Sequence, residues 1–147
     1  MVDVAGTRST SLMKGADTWG ATGVWSVMKY MLLIYSNPEN WATLPEAERN
    51  GLMAEYGTFT QEIVESGEFV SGDPLADVSS ASTVRVRGGD TDISDGPFIE
   101  SKEHLAGYYV VDCKDLDRAL ALAAKIPDVR FGAIEVRAVM DMSGTEM

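Results

Sequence analysis

From Tyr30 to Tyr35 the chain reads YMLLIY, six apolar residues without a polar break. A short continuous apolar run, stopped by Asn37 and Pro38, predicts a strand buried on both faces and so central in a sheet. Thr43-Leu-Pro-Glu46 then fits a capping box, with Thr43 accepting from an early backbone N–H and Glu46 reaching back. Pro45 is tolerated in a first turn, where its missing N–H has no partner to lose. Leu52, Met53, Tyr56, Phe59, Ile63 and Val64 recur at helical spacing, and Gly67 offers a stop. Residues 45–66 are therefore predicted as a helix, with Gly51 and Gly57 inside it. Phe69 and Val70 begin a short strand that Gly72-Asp73-Pro74 interrupts as a turn. Thr83–Arg87 alternates and predicts a strand, followed by a turn at Gly88-Gly89-Asp90 and another at Asp95-Gly96-Pro97. Gly107–Asp112 (GYYVVD) is a second run with buried character. Asp115 can cap a helix whose stripe is Leu116, Ala119, Leu120, Ala123 and Ile126, with Pro127 after its stop. Ala133–Met140 closes as a strand, Ile134, Val136, Ala138 and Met140 pointing one way, Glu135 and Arg137 the other.

With the short, interrupted segment at Phe69 and Val70 left out of the count, the order strand, helix, strand, strand, helix, strand predicts an α+β fold of the ferredoxin-like βαββαβ kind, with an antiparallel sheet. Both helices of such a fold lie on one face of the sheet. The other face, built partly from YMLLIY and GYYVVD, is an apolar patch that monomers rarely leave open. A second copy presenting the same face covers it, which predicts a two-fold homodimer.

Composition narrows the picture. In 147 residues, 12 Lys and Arg face 23 Asp and Glu, a formal charge of −11. That argues against nucleic acid, where clustered cations supply the affinity, and against anionic membrane surfaces. No apolar run approaches the length of a membrane span, and none fits a secretory signal. One cysteine excludes an intrachain disulfide. A cytoplasmic protein is expected. Gly, Ser and Thr supply 11 of the first 27 residues, and no helical or strand period persists there. Residues 1–27 are expected to be a flexible extension, with Trp19 and Trp25 as its large anchors, and residues 28–147 to be the domain.

Met28-Lys-Tyr-Met-Leu-Leu-Ile-Tyr35, Asp95-Gly-Pro-Phe-Ile-Glu-Ser-Lys-Glu103, Gly107-Tyr-Tyr and Ile134-Glu-Val-Arg137 together resemble the YCII-related family, in its DGPF-domain branch. The resemblance covers about residues 28–141. It implies a dimeric α/β barrel, in which two ferredoxin-like units pair their sheets around an internal cleft. It also implies, for some members, genes lying near those for extracytoplasmic-function sigma factors. The wider group is thought to use a His–Asp pair early in the chain. Here no histidine precedes His104, so that pair is not carried over. Ala138 stands where the branch usually has proline.

The candidate chemistry follows from the charged residues of these segments. Asp95 can close its own turn through its side chain, with Phe98 as a core plug, or it can stand as a base or ligand clamp at the mouth of a cleft. Glu100 and Lys102 share one side of an extended chain and can join Asp95 in an acid–base set; with Glu103 they can equally be a solvated ion-pair edge. If Val84, Val86, Ile134 and Val136 face the helices, then Arg85, Arg87, Glu135 and Arg137 face the barrel interior. There Arg137 and Arg85 can bind an acidic group, or form intersubunit salt bridges. His104 is the single histidine and is expected at the surface. Cys113 has no neighbour at metal-ligand spacing. Gly15-x4-Gly20 lacks the Lys-Ser/Thr of a phosphate loop, and no dinucleotide fingerprint follows a strand. No cofactor or metal is expected.

The resulting expectation is a homodimer that binds a small organic molecule. Asp95 and Glu100 are its candidate catalytic residues for lyase- or isomerase-like proton transfer. Lys102, Arg137 and Arg85 are its candidate binding residues. The alternative is a non-catalytic sensor or accessory protein linked to sigma-factor control.

Overall fold

A computed structural model describes residues 28–140. The expected N-terminal extension, Trp19 and Trp25 included, lies outside the described residues, as do the last seven.

The elements are β1 (Met28–Ser36), α1 (Pro38–Ala42), α2 (Glu46–Glu65), β2 (Phe69–Pro74), β3 (Ser82–Arg87), β4 (Asp90–Asp95), β5 (His104–Cys113), α3 (Leu116–Ala123) and β6 (Ala133–Ala138). The main sheet is antiparallel with order β2-β5-β1-β6. This is the ferredoxin-like arrangement, and β1 is central as its apolar run predicted. On one face of β1, Tyr30, Leu32 and Ile34 are buried. They meet Phe59 and Ile63 of α2 and Ala119, Leu122 and Ala123 of α3 in one core. Leu32, Ile63, Leu122, Ile126 and Val111 are fully buried, each contributing about 2 kcal/mol through area removed from water. The other face carries Met31 and Leu33, whose sheet neighbours are Val110 and Tyr108. Both long helices lie on the core side.

Several local expectations change. Asn37 does not simply end β1; its side chain accepts from the Glu39 N–H and caps α1, a helix absent from the sequence reading. Thr43 is not the cap of α2. It closes α1 instead, its hydroxyl donating to the Glu39 carbonyl. Pro45 takes the cap position of α2 without a side-chain bond. Asp115 does cap α3, accepting from the Arg118 N–H at 2.9 Å. Within α3, Leu120 is exposed and Leu122 takes the buried position. The carboxylate of Glu68, just before β2, grips the Arg118 guanidinium in two bonds of 2.8 and 2.9 Å and ties this edge to α3. Arg118 holds the Glu68 carboxyl below the usual carboxylate range.

The largest difference lies between β2 and β5. Gly72-Asp73-Pro74 does not interrupt β2. The strand pairs with β5 as far as Pro74, which an edge strand accommodates. Gly72 is required there by close approach, since a Cβ would lie 2.7 Å from Cδ1 of Tyr109. Thr83–Arg87 is a strand, but it pairs only with Asp90–Asp95, in a separate hairpin. Gly88 and Gly89, at φ 58° and 88°, supply the two left-handed positions of its turn. Val84 and Val86 therefore face no helix and are more than half exposed. Arg85 and Arg87 belong to the hairpin, while Glu135 and Arg137 stand on the open sheet face. Among the described residues, no helix is long and apolar enough to cross a membrane.

Gly72→Ala is expected to cost about 2 kcal/mol, because the Tyr109 ring or the strand must shift. Urea denaturation of the variant measures this; an unchanged midpoint would show that the edge yields freely.

Candidate functional site

Helix α2 carries apolar residues on more than one face. Leu52, Phe59 and Ile63 are buried. Met53, Gly57, Thr60 and Val64, spaced three or four apart, form a neighbouring stripe. That stripe touches the sheet where Thr60 bonds Tyr109. It lines a cavity of about 760 Å³, whose other walls come from β2, the segment after it and the start of β5. Met53 and Val64, expected in the core, are thus exposed residues of a cavity wall.

The polar end of the cavity is built from three separate elements. Asp128, in the short turn Pro127–Arg130 before β6, is only 4% exposed. Its Oδ2 accepts from the Tyr56 hydroxyl of α2 at 2.7 Å, and its Oδ1 from the Trp41 indole N–H of α1 at 3.3 Å. All three residues line the cavity. Burial, then the hydrogen bond to Asp128, pushes the Tyr56 phenol well above the ordinary tyrosine range, so this hydroxyl remains a donor. Nearby, the Thr60 and Tyr109 hydroxyls share a bond of 2.8 Å. His104 begins β5 opposite buried Ser36, and both reach the cavity. It is half-buried on this wall rather than at the open surface. Asp73 and Asp77 complete the polar lining; Asp73 accepts from the Tyr108 hydroxyl, and Asp77 from the Ser79 N–H.

The residues singled out from sequence stand elsewhere. Asp95 ends β4, is exposed, and its carboxylate accepts no hydrogen bond among the described residues. Gly96, at φ 101°, turns the chain there, and its carbonyl accepts from the Thr83 hydroxyl. Glu100 and Lys102 are exposed in the segment that follows and form no ion pair with Asp95. Phe98 is exposed too, its ring under the Arg85 guanidinium at 5.0 Å, so it plugs no core in the protomer. Arg137 lies 3.9 Å from Glu135 on the open face. None of Asp95, Glu100, Lys102, Arg85 and Arg137 lines the cavity.

Asp128, Tyr56 and Trp41 were not identified from sequence. They are separated by 72 and 87 residues along the chain, so no local spacing links them. The available signal was Trp41 itself, a large aromatic between two proline turns with no periodic pattern to absorb it. Cys113 is buried and its thiol is pushed up to about 12, chiefly by burial, which leaves it inert. Among the described residues, no three His, Cys, Asp or Glu side chains are grouped to hold a metal ion.

A ferredoxin-like α+β domain with a ligand-sized cavity beside its first long helix is the class of protein these features define. Residues 28–143 match the YCII-related domain, and the chain belongs to that family. It is also 32% identical, over 112 residues, to an uncharacterized protein of Rhizobium meliloti (strain 1021), an overlap of 75% of this chain and 90% of that protein.

Tyr56→Phe is expected to destabilise the fold by about 1–3 kcal/mol, because one oxygen of a buried carboxylate loses its donor. The folded phenol has a raised pKa, so its contribution is complete below the ordinary tyrosine value of about 10 and is lost only as pH rises beyond it. The stability gap between variant and parent, read by urea denaturation, should therefore stay constant from about pH 6 to 9.

Proposed function

We propose that the protein is a cytoplasmic homodimer of the DGPF-domain branch that takes a small organic molecule into the cavity beside α2. The observation that carries this reading is the cavity itself. Its volume lies within the range of ligand pockets, and a few polar groups converge at one end of an otherwise apolar wall. The open sheet face supports the dimer. Met31, Leu33, Tyr108 and Val110 form an apolar centre, with Lys29, Asp112, Glu135 and Arg137 around it. Such a face is the shape of a self-complementary interface. The run Asp95-Gly-Pro-Phe98 supports the branch, and a lone cysteine suits a reducing compartment.

The chemistry open to the cavity is proton transfer of the lyase or isomerase kind. Asp128 is a fixed acceptor, Tyr56 a fixed donor, and His104 is the imidazole on the wall. In this reading the acid–base role belongs to these three rather than to Asp95 and Glu100. One observation favours the second reading, a non-catalytic sensor or accessory protein of the sigma-factor type: both oxygens of Asp128 are already engaged by protein donors.

Gly57 tests the cavity directly. A Cβ there meets no atom within 4 Å, and the residue lines the cavity. Gly57→Leu should keep the fold or stabilise it by about 0.5–1 kcal/mol through helix propensity. It should also abolish the fluorescence gain of Nile red, a neutral apolar dye, on binding the parent. Unchanged dye binding would place the ligand site elsewhere. Light scattering of the parent should give about twice 15.9 kDa, and Leu33→Asp a monomer. A monomeric parent would remove the dimer from this reading.

A further inference from the structure

The charged lining of the cavity has one sign. Among the described residues, Asp77 and Asp128 stand on its wall with Asp73 at its rim, and no lysine or arginine does. Among the described residues, His104 is the one lining side chain able to carry a positive charge. Asp128 is nine-tenths and more buried, yet its partners are a hydroxyl and an indole N–H, both neutral. No salt bridge reaches it among the described residues. The guanidinium two positions on, Arg130, is committed to Glu55 at 2.8 Å and to the Pro127 carbonyl. A buried carboxylate without a cation has given up its hydration for two hydrogen bonds, which recover only part of it. Among the described residues no positive group completes this site.

The rest of the wall is suited to what would carry that charge. Trp41 and Tyr56 stand at the polar end, and aromatic faces attract cations. Met53, Val64 and Phe69 offer an apolar surface further along. Asp77 is exposed, so it extends the negative wall toward solvent. An anionic ligand would meet the carboxylates of Asp128 and Asp77 there and, among the described residues, no lysine or arginine.

We infer that the cavity selects an organic cation, a protonated amine on an apolar or aromatic body, with its ammonium toward Asp128 and its body along Met53 and Val64. This rests on the reading of the cavity as a ligand site, and names the class of molecule that the site takes.

Three probes of nearly equal shape separate the two levels of the argument: phenethylamine, phenethyl alcohol and phenylacetate. Binding to the full chain is followed at about pH 8, where imidazole is ordinarily neutral, through the indole N–H resonance of Trp41, identified by its loss in Trp41→Phe. The amine should shift this resonance saturably and bind at least about tenfold more tightly than the alcohol, with the acid weakest. Asp128→Asn should lower amine affinity by about tenfold and leave the alcohol within about twofold. If that variant does not fold, Asp77→Asn, at an exposed position where asparagine also caps, should weaken the amine about twofold to threefold and leave the alcohol unchanged. Equal affinity of amine and alcohol, or tighter binding of the acid, would overturn the cation preference while leaving the cavity as a ligand site. No shift of the Trp41 resonance by any of the three would overturn both.

Discussion

Strand β1 has a hydrogen-bonded neighbour on each edge and apolar side chains on each face, and the rest of the molecule answers to that double demand. Period-two alternation sends Tyr30, Leu32 and Ile34 one way and Met31 and Leu33 the other. Two helices of ordinary length can cover one face of a four-stranded sheet. Here α2 and α3 do so, with Phe59, Ile63 and Leu122 set against Leu32 and Val111. The opposite face keeps apolar side chains at its centre, where Leu33 and Tyr108 are register partners.

The same crowding explains where the cavity lies. Helix α2 is apolar on a broader arc than the sheet can receive. The arc that includes Phe59 and Ile63 is taken into the core, and the neighbouring arc from Met53 to Val64 is left beside it. The cavity forms along that second arc, roofed by β2 and the chain after it. Gly57 keeps the wall thin at its midpoint. At the far end, α1 and the turn before β6 bring in Trp41 and Asp128, which give the cavity a buried polar floor. A short hydrogen bond from Tyr56 and a longer one from Trp41 hold both oxygens of Asp128 in place on that floor.

The parts legible in the sequence were those with a period. YMLLIY, the stripe of α2, the cap at Asp115 and the alternation of Ile134 and Val136 each announce their element through spacing alone. Two kinds of feature were not legible. The first is structure without an apolar pattern: β4 contains Ile93 as its single large apolar residue and is exposed along its length, so no alternation marks it as a strand. Its partner β3 then passed for a strand of the main sheet, which carried Arg85 with it. Likewise Gly72-Asp73-Pro74 has the composition of a turn, and only the Tyr109 ring pressing on Gly72 explains why it is strand. The second kind is long-range convergence. Asp128 reads locally as an ordinary residue after a helix stop. Its significance comes from Tyr56 and Trp41, which the topology alone delivers. Asp95, by contrast, sits in a conspicuous motif, but its turn anchors a hairpin base through Gly96, Thr83 and Ala81.

Charge acts on this molecule at two ranges, and the two should not be merged. The net charge of −11 sets a field that draws cations toward the protein as a whole and speeds their encounter. At physiological salt that field is screened beyond about 8 Å, so it discriminates poorly between one surface site and another. For the proposed cation site, discrimination belongs to the groups on the cavity wall, and screening is weakest at buried Asp128. There the sign is set by Asp128 and repeated nearer solvent by Asp77, with the guanidinium of Arg130 engaged by Glu55. A protein of opposite net charge with the same wall would keep the preference and lose the encounter rate. Replacing Asp128 alone would do the reverse, because the long-range field is the sum of many residues and the local one depends on very few.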